Sequence, residues 1–224
     1  MSPPTNIEAP HPPLSYTTSP VASFLAVTKS EFLASRPRIQ KLMTGAVVFR
    51  QAPPSNPTAT AADQVLVVRR AASDSYPGTW EVPGGSIDET DSTVIAGAVR
   101  ELWEETGLRA RHVPCAVGML LQDGRAAEIA AKDDSRLDDD GLTVTFVETG
   151  RVWGKSTVMV EVESTAEVTV RPDEHSEWAW VTEEQVRDGW MDGLGGGKRE
   201  LTFVSECVRW TLLDAFRMRK EVNP

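Results

Sequence analysis

The sequence is short of cysteine and of long apolar runs, and each shortage excludes a class of protein. Its 224 residues include two cysteines, Cys115 and Cys207, and neither has a metal-binding or Cys-x-x-Cys companion. We therefore expect two reduced thiols in a protein of the cytoplasm. No apolar run approaches the roughly 20 residues that a membrane helix needs. The first residues also lack the basic and apolar segments of a secretory signal, so we expect no membrane partner.

Positive charge is scarce as well. Lysine and arginine number 23 against 33 aspartates and glutamates, which gives a formal net charge of −10. This balance argues against a protein that binds nucleic acid by covering its phosphates with cations. It does not argue against a small phosphorylated substrate, because a bound metal ion can supply local positive charge.

The N-terminal residues differ in composition from the rest of the chain. Residues 1–20 hold six prolines and almost no apolar periodicity, which predicts a disordered tail and leaves open whether its end docks on the domain. Residues 21–35 contain a short amphipathic pattern that Pro37 ends. We therefore divide the chain into a Pro-rich extension, residues 1–36, largely disordered with a short helical segment, and a domain of residues 37–224.

Hydrophobic periodicity predicts alternating strands and helices in the domain. Strands are predicted at residues 45–50, 64–70, 112–121, 142–148, 156–163 and 178–181. Helices are predicted after the N-cap Thr182 and over residues 201–219. The acidic insertion at 122–141 has no calcium-loop spacing, so we expect a mobile surface loop there.

The most informative stretch runs from Trp80 to Leu108 and contains a further helix, predicted from about Asp91 to Thr106. Thr90 or Asp91 is the expected N-cap, and Gly107 is placed to end the helix. Three glutamates at spacing i, i+3 and i+4 face away from the apolar arc of this helix: Glu101, Glu104 and Glu105. Carboxylates this close repel one another unless they are solvated or a cation binds them.

The turn before the helix favours the cation over the solvated acidic face. The glycines after Pro83 allow a ligand to approach the backbone closely. Hard divalent cations such as Mg2+ and Mn2+ take carboxylate oxygens and bind substrate phosphates through their remaining positions. A glycine turn, a helix and an acidic triad in this order predict a metal-dependent phosphate site.

The same residues resemble the Nudix box, the signature of the Nudix hydrolases. That pattern is Gly, five residues, Glu, seven residues, then Arg-Glu-apolar-any-Glu-Glu-any-Gly-apolar, and the chain matches it from Arg100 onward. The front half departs: Asp91 replaces the first glutamate, and eight residues rather than seven separate it from Arg100. In the family this glutamate mainly braces the box arginine. The sequence leaves open whether Asp91 or Glu89 takes that role.

The resemblance implies an α/β fold, the Nudix α/β/α sandwich with a central mixed sheet. It also implies a hydrolase that uses Mg2+ or Mn2+. Such an enzyme would cleave a diphosphate linkage in a nucleoside diphosphate linked to another moiety, by attack of metal-activated water. The expected partner is a small-molecule diphosphate substrate.

The resemblance also suggests roles for individual residues. Metal binding and catalysis would involve Glu101, Glu104 and Glu105, with Arg100 in the catalytic set and the Gly85 carbonyl as a further metal ligand. A late carboxylate, Glu174 or Glu177, would act on the metals or on the attacking water, and His175 could assist as a base. The general base would be Glu101 or one of these late acids. The alternative is that the late acids only solvate a loop.

Residues around the glycine turn are candidates for substrate binding. These candidates are Arg69, Arg70, Trp80, Gly84 and Gly85. The two arginines could equally be solvated charges at the end of a strand, and Trp80 could be a packing residue.

The sequence does not select the diphosphate compound. Two alternatives to a nucleotide hydrolase therefore stay open. One is hydrolysis of a non-nucleotide diphosphate, isoprenoid or inositol. The other is a catalytically weak protein of the Nudix fold that binds nucleotides or other proteins.

Overall fold

The computed structural model describes residues 14–52, 61–119, 135–193 and 196–222. The strands are β1 (Thr17–Thr18), β2 (Lys41–Gln51), β3 (Asp63–Arg70), β4 (Trp80–Glu81), β5 (Ala110–Val113), β6 (Ala116–Val117), β7 (Arg136–Leu137), β8 (Val144–Glu148), β9 (Arg151–Val162), β10 (His175–Thr182), β11 (Trp190–Asp192) and β12 (Lys198–Glu200). The helices are α1 (Lys29–Ala34), α2 (Val94–Thr106), α3 (Glu183–Asp188) and α4 (Glu206–Val222), and a 3-10 helix spans Pro20–Leu25.

A mixed sheet forms the centre of the domain. Its main path runs β1-β5-β9-β2-β3-β10. The long strands β2 and β9 are parallel, whereas β3 runs antiparallel to both β2 and β10. The prediction of a central mixed sheet is confirmed.

Alternation along the strands gives the sheet two apolar faces. Leu66 of β3 packs in one cluster with α2, whereas its neighbours Val65 and Val67 pack in a second cluster with α4. Successive side chains of a strand point to opposite faces, so one apolar strand can bury both. Helices therefore cover both faces of the sheet, and the predicted α/β/α sandwich is confirmed.

Helix α2 begins later than the sequence predicted. Its N-cap is Thr93, whose Oγ1 accepts a hydrogen bond from the backbone N–H of Ala96 at 3.0 Å. The predicted caps, Thr90 and Asp91, precede the helix, and the Asp91 carboxylate is bound elsewhere. The helix ends as predicted, at Gly107 with a φ of 71°, because glycine adopts the left-handed conformation without steric cost.

The N-terminal segment packs on the α2 face of the sandwich. Thr17 and Thr18 pair in parallel with β5, and Ala22, Leu25 and Phe32 are buried in the same cluster as α2. The end of the tail thus docks on the domain, an alternative that the sequence left open. Residues 1–13 lie outside the described ranges, and the boundary at residue 36 stays a prediction.

Ion pairs hold the end of the acidic insertion. Asp140 pairs with Arg36 at 2.8 Å and Asp138 with Arg38 at 2.7 Å. Residues 135–141 are thus held by ion pairs instead of forming the expected mobile loop, and no local pattern could indicate partners so distant in the chain. The rest of that prediction, residues 122–134, lies outside the described ranges. Within those ranges, no helix has the length and apolarity to cross a membrane.

Candidate active site

Arg100 is braced by Asp91. The Arg100 guanidinium donates through Nε to Asp91 Oδ1 and through Nη2 to Asp91 Oδ2, both at 2.9 Å. Glu89 lies at the surface instead, with 81% of its side chain exposed and its carboxylate 2.7 Å from the amine of Lys29. Of the two residues that the sequence left open, Asp91 and not Glu89 is therefore the partner of Arg100.

The other side of the same guanidinium holds two carboxylates of α2. Nη1 of Arg100 lies 3.0 Å from both Glu101 Oε1 and Glu104 Oε2. Burial disfavours the charged guanidinium, but the hydrogen bonds of Asp91 and the charges of Glu101 and Glu104 outweigh it and raise the pKa of Arg100. The arginine stays charged and fixes the rotamers of the two glutamates.

The glycine turn holds the carboxylates from the opposite side. A Cβ on Gly85 would lie 2.7 Å from Glu101 Oε1, and a Cβ on Gly84, where φ is +154°, would lie 2.2 Å from the carbonyl oxygen of Thr44. The N–H of Gly84 donates to Glu105 Oε2 at 2.7 Å. Only glycine lets the backbone approach this closely. The Gly85 carbonyl accepts from Thr44 N at 2.9 Å and keeps a second lone pair for a ligand.

A second group of residues meets Glu105. Nε2 of His175 lies 3.9 Å from Glu81 Oε1 and 4.0 Å from Glu105 Oε1. Nδ1 of His175 is buried without a hydrogen-bond partner among the described residues. One ligand atom each from Glu105, Glu174 and His175 fit within 4.8 Å of one another. This set is small enough to surround one ion.

The pKa values of the acids in the site are shifted in opposite directions, although burial acts on all of them in the same way. Burial raises the pKa of Glu101 to about 7, with Arg100 opposing the shift and Glu104 adding to it. Burial, and then the charge of Glu81, raise the pKa of Glu105 well above its ordinary value. Burial opposes the charged form of Glu81 too, but His175, Lys155 and Arg70 outweigh it and lower its pKa.

The donor set fits a divalent cation. Burial and then the neighbouring carboxylates raise the pKa values of Glu101 and Glu105, and a bound cation would favour the charged form of both groups. Carboxylate oxygens suit Mg2+ and Mn2+, and an imidazole nitrogen is a further ligand for transition metals. Glu105, with its side chain buried and its Oε2 held by Gly84, offers a fixed first ligand.

The two arginines at the end of β3 lie on opposite faces of the sheet. Arg70 pairs with Glu81 on the α2 face and with Asp74 at 2.7 Å. Arg69 donates to the carbonyl of Gly78 at 3.0 Å. The two therefore cannot bind one phosphate together, because successive strand residues point apart. Arg70 is the one that lies beside the acidic site.

The two late carboxylates are also separated. A β-bulge lies between His175 and Glu177, so His175 pairs with Arg70 and Glu177 with Arg69. Arg199 Nη2 donates to Glu177 Oε2 at 2.7 Å, and this ion pair lowers the pKa of Glu177. The suggested role of Glu177 at the metals is thus not supported. Without the bulge, period-two alternation would have put it on the face of His175.

Trp80 is a packing residue. Its side chain is 1% exposed in the cluster on the α4 face, and the Arg199 guanidinium carbon lies 5.3 Å from its ring centroid. A ring without exposed surface cannot stack on a substrate, so the suggested substrate contact does not fit the structure.

Two residues of the site were not singled out from the sequence. Glu81 directly precedes the Val-Pro-Gly-Gly turn. A carboxylate next to the glycine turn could have indicated it as a residue of the site. Lys155 lies on β9, with its Nζ 3.8 Å from Glu81 Oε2. No local pattern could have indicated it, because more than 70 residues separate it from Glu81.

The sandwich, the glycine turn and the braced acidic helix together define a protein with the architecture that the box motif implied. The chain belongs to the NUDIX family, because the model of the NUDIX domain matches residues 56–201.

Two relatives align with a short part of the chain. The chain is 50% identical over 46 residues to a MutT-like protein of Streptomyces ambofaciens, covering 20% of this chain and 27% of the relative. It is 48% identical over 50 residues to an RNA pyrophosphohydrolase of Psychrobacter sp., covering 22% and 26%. The matches thus span about a quarter of the length of each relative.

Solved structures were also found to be similar. A Nudix hydrolase of M. smegmatis, RenU, shares 20% identity, with a TM-score of 0.48 over 83% of this chain and 88% of that one. An Ap4A hydrolase of C. elegans shares 17% identity, with a TM-score of 0.42 over 66% and 84%.

Proposed function

We propose that this protein is a hydrolase that requires Mg2+ or Mn2+. Its reaction is cleavage of a diphosphate linkage in a nucleoside diphosphate linked to another moiety. The observation that carries the proposal is the position of two carboxylates, the mostly buried Glu101 and the buried Glu105, against adjacent glycines of one turn. Carboxylates crowded in this way destabilise the folded protein when they are ionised. A bound cation would offset that repulsion.

Glu101, Glu104 and Glu105 would hold the metal, with Glu174, His175 and the Gly85 carbonyl as further donors. When bound, a divalent cation lowers the pKa of a coordinated water and offsets the charge of the diphosphate. Arg100 sets the orientation of Glu101 and Glu104 through its two contacts of 3.0 Å.

The attacking water must lose a proton to a residue of the site. Glu101, beside the glycine turn, and Glu174, which lies with Glu105 and His175, are the candidate acceptors. A carboxylate within hydrogen-bond reach of the water can take this proton. Glu177 is not a candidate, because its carboxylate is bound to Arg199 on the other face of the sheet.

The substrate phosphates need positive charge beside the metal. Arg70 and Lys155 supply it, since both approach Glu81 at the edge of the site. Both groups are ordered by Glu81 before any substrate binds. Gly84 and Gly85 act on the substrate through the carboxylates, because their lack of side chains lets the turn pack against Glu101 and Glu105.

The test is a panel of diphosphate compounds assayed with Mg2+, with Mn2+ and with a chelator. The panel should contain nucleoside diphosphate derivatives, an isoprenoid diphosphate and an inositol diphosphate. We expect hydrolysis of at least one nucleoside diphosphate derivative, its loss in chelator and its return when metal is added back.

Two variants show which carboxylates are responsible. Glu105→Gln should lower the rate about 100-fold or more, the scale of a single catalytic group. Glu89→Gln is the matched control, because Glu89 is a surface residue outside the site. Full hydrolysis in chelator, or a wild-type rate for Glu105→Gln, would end the proposal. Tight nucleotide binding without hydrolysis would favour the catalytically weak binding protein instead.

A further inference from the structure

The N-terminal segment, residues 14–35, contacts the part of the chain that carries Asp91. The carbonyl oxygen of Val27 accepts a hydrogen bond of 2.9 Å from the backbone N–H of Val94. Val94 is the first residue of α2, and the first N–H groups of a helix have no partner within the helix itself. The N-terminal segment therefore supplies a hydrogen-bond acceptor at the point where α2 begins.

Tyr16 reaches the same place with its side chain. A hydrogen bond joins the Tyr16 phenol to the side chain of Thr93, the N-cap of α2. Burial raises the pKa of Tyr16, the hydrogen bond to Thr93 lowers it, and the charge of Asp91 raises it. The ring also packs against the apolar cluster that includes Ile87, a residue between the glycine turn and α2. Tyr16 thus packs on the domain with its ring and bonds to the N-cap with its hydroxyl, near enough to Asp91 for that charge to act on the phenol.

Asp91 has little room to move. Its side chain is 5% exposed, and a Cβ on Gly97 would lie 3.0 Å from its Oδ2. The same Oδ2 accepts hydrogen bonds from the N–H of Asp88 at 2.8 Å and from Arg100 at 2.9 Å. Hydrogen bonds weaken steeply as their distance and angle depart from the optimum. A small displacement of the residues before α2 would therefore loosen the contact with Arg100.

The extra residue of the box falls where the N-terminal segment makes these contacts. It lies between Asp91 and Arg100, and Thr93 and Val94 belong to that stretch. A longer connection has more conformations to lose, so ordering it costs more free energy. The hydrogen bonds from the N-terminal segment offset that cost by fixing the residues between Asp91 and the helix.

A further contact of the segment is too exposed to have this role. Lys29 pairs with Glu89 at 2.7 Å, but 81% of the Glu89 side chain is exposed. Exposed ion pairs contribute little to stability, because water and salt screen them. The contacts that can hold Asp91 in place are therefore those at Thr93 and Val94.

We propose that the N-terminal segment positions Asp91, with Tyr16 as the positioning side chain, and thereby sets the arrangement of the metal-binding glutamates. Asp91 holds Arg100, whose Nη1 lies 3.0 Å from both Glu101 and Glu104. The inference rests on the proposed function, since it takes these glutamates to bind the metal. The competing explanation is a purely structural one, in which the segment only covers the apolar face of α2.

The first test follows the side-chain proton of Arg100 in the full chain, in chelator. Arg100 Nε donates to Asp91 Oδ1 at 2.9 Å, and the signal of this N–H in the heteronuclear NMR spectrum is identified by its loss in Arg100→Lys. Tyr16→Ala should accelerate the exchange of this proton with water at least about tenfold, and Tyr16→Phe about fivefold, the equivalent of one lost hydrogen bond. The amide of Val158 on the central strand β9 reports global unfolding, and its exchange should accelerate less.

Thr17→Val is the matched control. Thr17 belongs to the same segment, and its Oγ1 lies 2.7 Å from Nδ1 of His112 on β5. The variant therefore removes a hydrogen bond that does not involve the residues before α2, and it should leave the exchange at Arg100 unchanged. Exchange at Arg100 in Tyr16→Ala that matches this control, or that accelerates no more than exchange at Val158, would overturn the proposal.

The second test measures metal affinity without substrate, by titrating Mn2+ and following the free ion by electron paramagnetic resonance. Tyr16→Ala should weaken Mn2+ binding at least about threefold, because a loosened Arg100 no longer fixes Glu101 and Glu104. In an Asp91→Asn background the brace is already weakened, so Tyr16→Ala should add less than about twofold. Equal losses in the two backgrounds would mean that Tyr16 does not act through Asp91 and would overturn the proposal.

The two proposals fail separately. A wild type that binds no Mn2+ would contradict the proposed function, and the exchange of the Arg100 proton in chelator would still decide the positioning. Mn2+ affinities that are equal in the wild type and in Tyr16→Ala would contradict only the positioning.

Discussion

Asp91 accepts two hydrogen bonds of 2.9 Å from Arg100, although it is a shorter side chain than the glutamate of the box pattern and stands one residue farther from the arginine. Asp91 precedes α2, whose first residue is Val94. The segment before the helix can thus bring the carboxylate to the guanidinium. Relative to the box pattern, the chain has one extra residue and a shorter acidic side chain. The hydrogen-bonded contact between Asp91 and Arg100 is nevertheless formed.

Replacing Asp91 should weaken the fold measurably. Asp91→Asn keeps the size of the side chain but can accept only one of the two hydrogen bonds and removes the charge beside Arg100. We expect a loss of about 2–3 kcal/mol in the free energy of unfolding, measured by urea denaturation, because hydrogen bonds between charged groups are strong and both side chains are largely buried. Glu89→Gln should stay close to the wild type. Equal stabilities of the two variants would contradict the assignment of the brace.

The stability of the metal-free protein should fall as the pH rises from about 4.5 to 7. Burial raises the pKa of Glu101 from 4.5 to about 7. The folded state therefore binds this proton more tightly than the unfolded state. The protonated Glu101 stabilises the fold fully below the pKa that this group has in the unfolded chain. The stabilisation is lost as the pH rises through the higher pKa that the group has in the folded protein. At roughly 1.4 kcal/mol per pKa unit, the loss amounts to about 3 kcal/mol.

Thermal denaturation in chelator across this pH range measures the effect. Glu101→Gln should flatten the profile, since the glutamine has no proton to lose. Adding Mg2+ at pH 7 should raise the Tm of the wild type, because a cation that binds only the folded state stabilises it. A wild-type profile without any fall between pH 4.5 and 7 in chelator would be inconsistent with a buried, crowded Glu101.

The two late carboxylates should differ in effect. Glu174→Gln should lower the rate of hydrolysis at least tenfold, since Glu174 lies with Glu105 and His175. Glu177→Gln should leave kcat within about twofold and cost under about 1 kcal/mol of stability, because it removes one partly exposed ion pair. Rates measured at saturating substrate and metal compare the two directly. A large loss of rate in Glu177→Gln together with a wild-type rate in Glu174→Gln would show that Glu177, and not Glu174, acts at the site.

The N-terminal segment should contribute to stability. Leu25 is 1% exposed in the cluster with α2, whereas Val21 is 73% exposed. Leu25→Ala should cost about 2–4 kcal/mol through lost burial and a cavity, and Val21→Ala should cost almost nothing. Denaturation of the full chain measures both. A wild-type midpoint for Leu25→Ala would mean that the segment is not packed on the sandwich in solution.

Sequence alone determined the features that depend on local spacing. The 3.6-residue period placed α2, Gly107 ended it, and the spacing of Glu101, Glu104 and Glu105 put three carboxylates on one side. The alternation and length of the apolar runs predicted strands that the structure places in a mixed sheet between helices. These features follow from the chemistry of residues close together in the chain, where backbone geometry fixes their relative positions.

Tertiary structure decided the contacts that join distant residues. It selected Asp91 over Glu89 for Arg100, buried Trp80 beneath Arg199, and brought Lys155 to Glu81. It also separated Glu177 from His175, because one bulge in β10 reverses the face of a side chain and leaves little local signal in the sequence. Long-range pairings depend on how the whole sheet packs, and that packing determined which of the charged residues near the box face the acidic site.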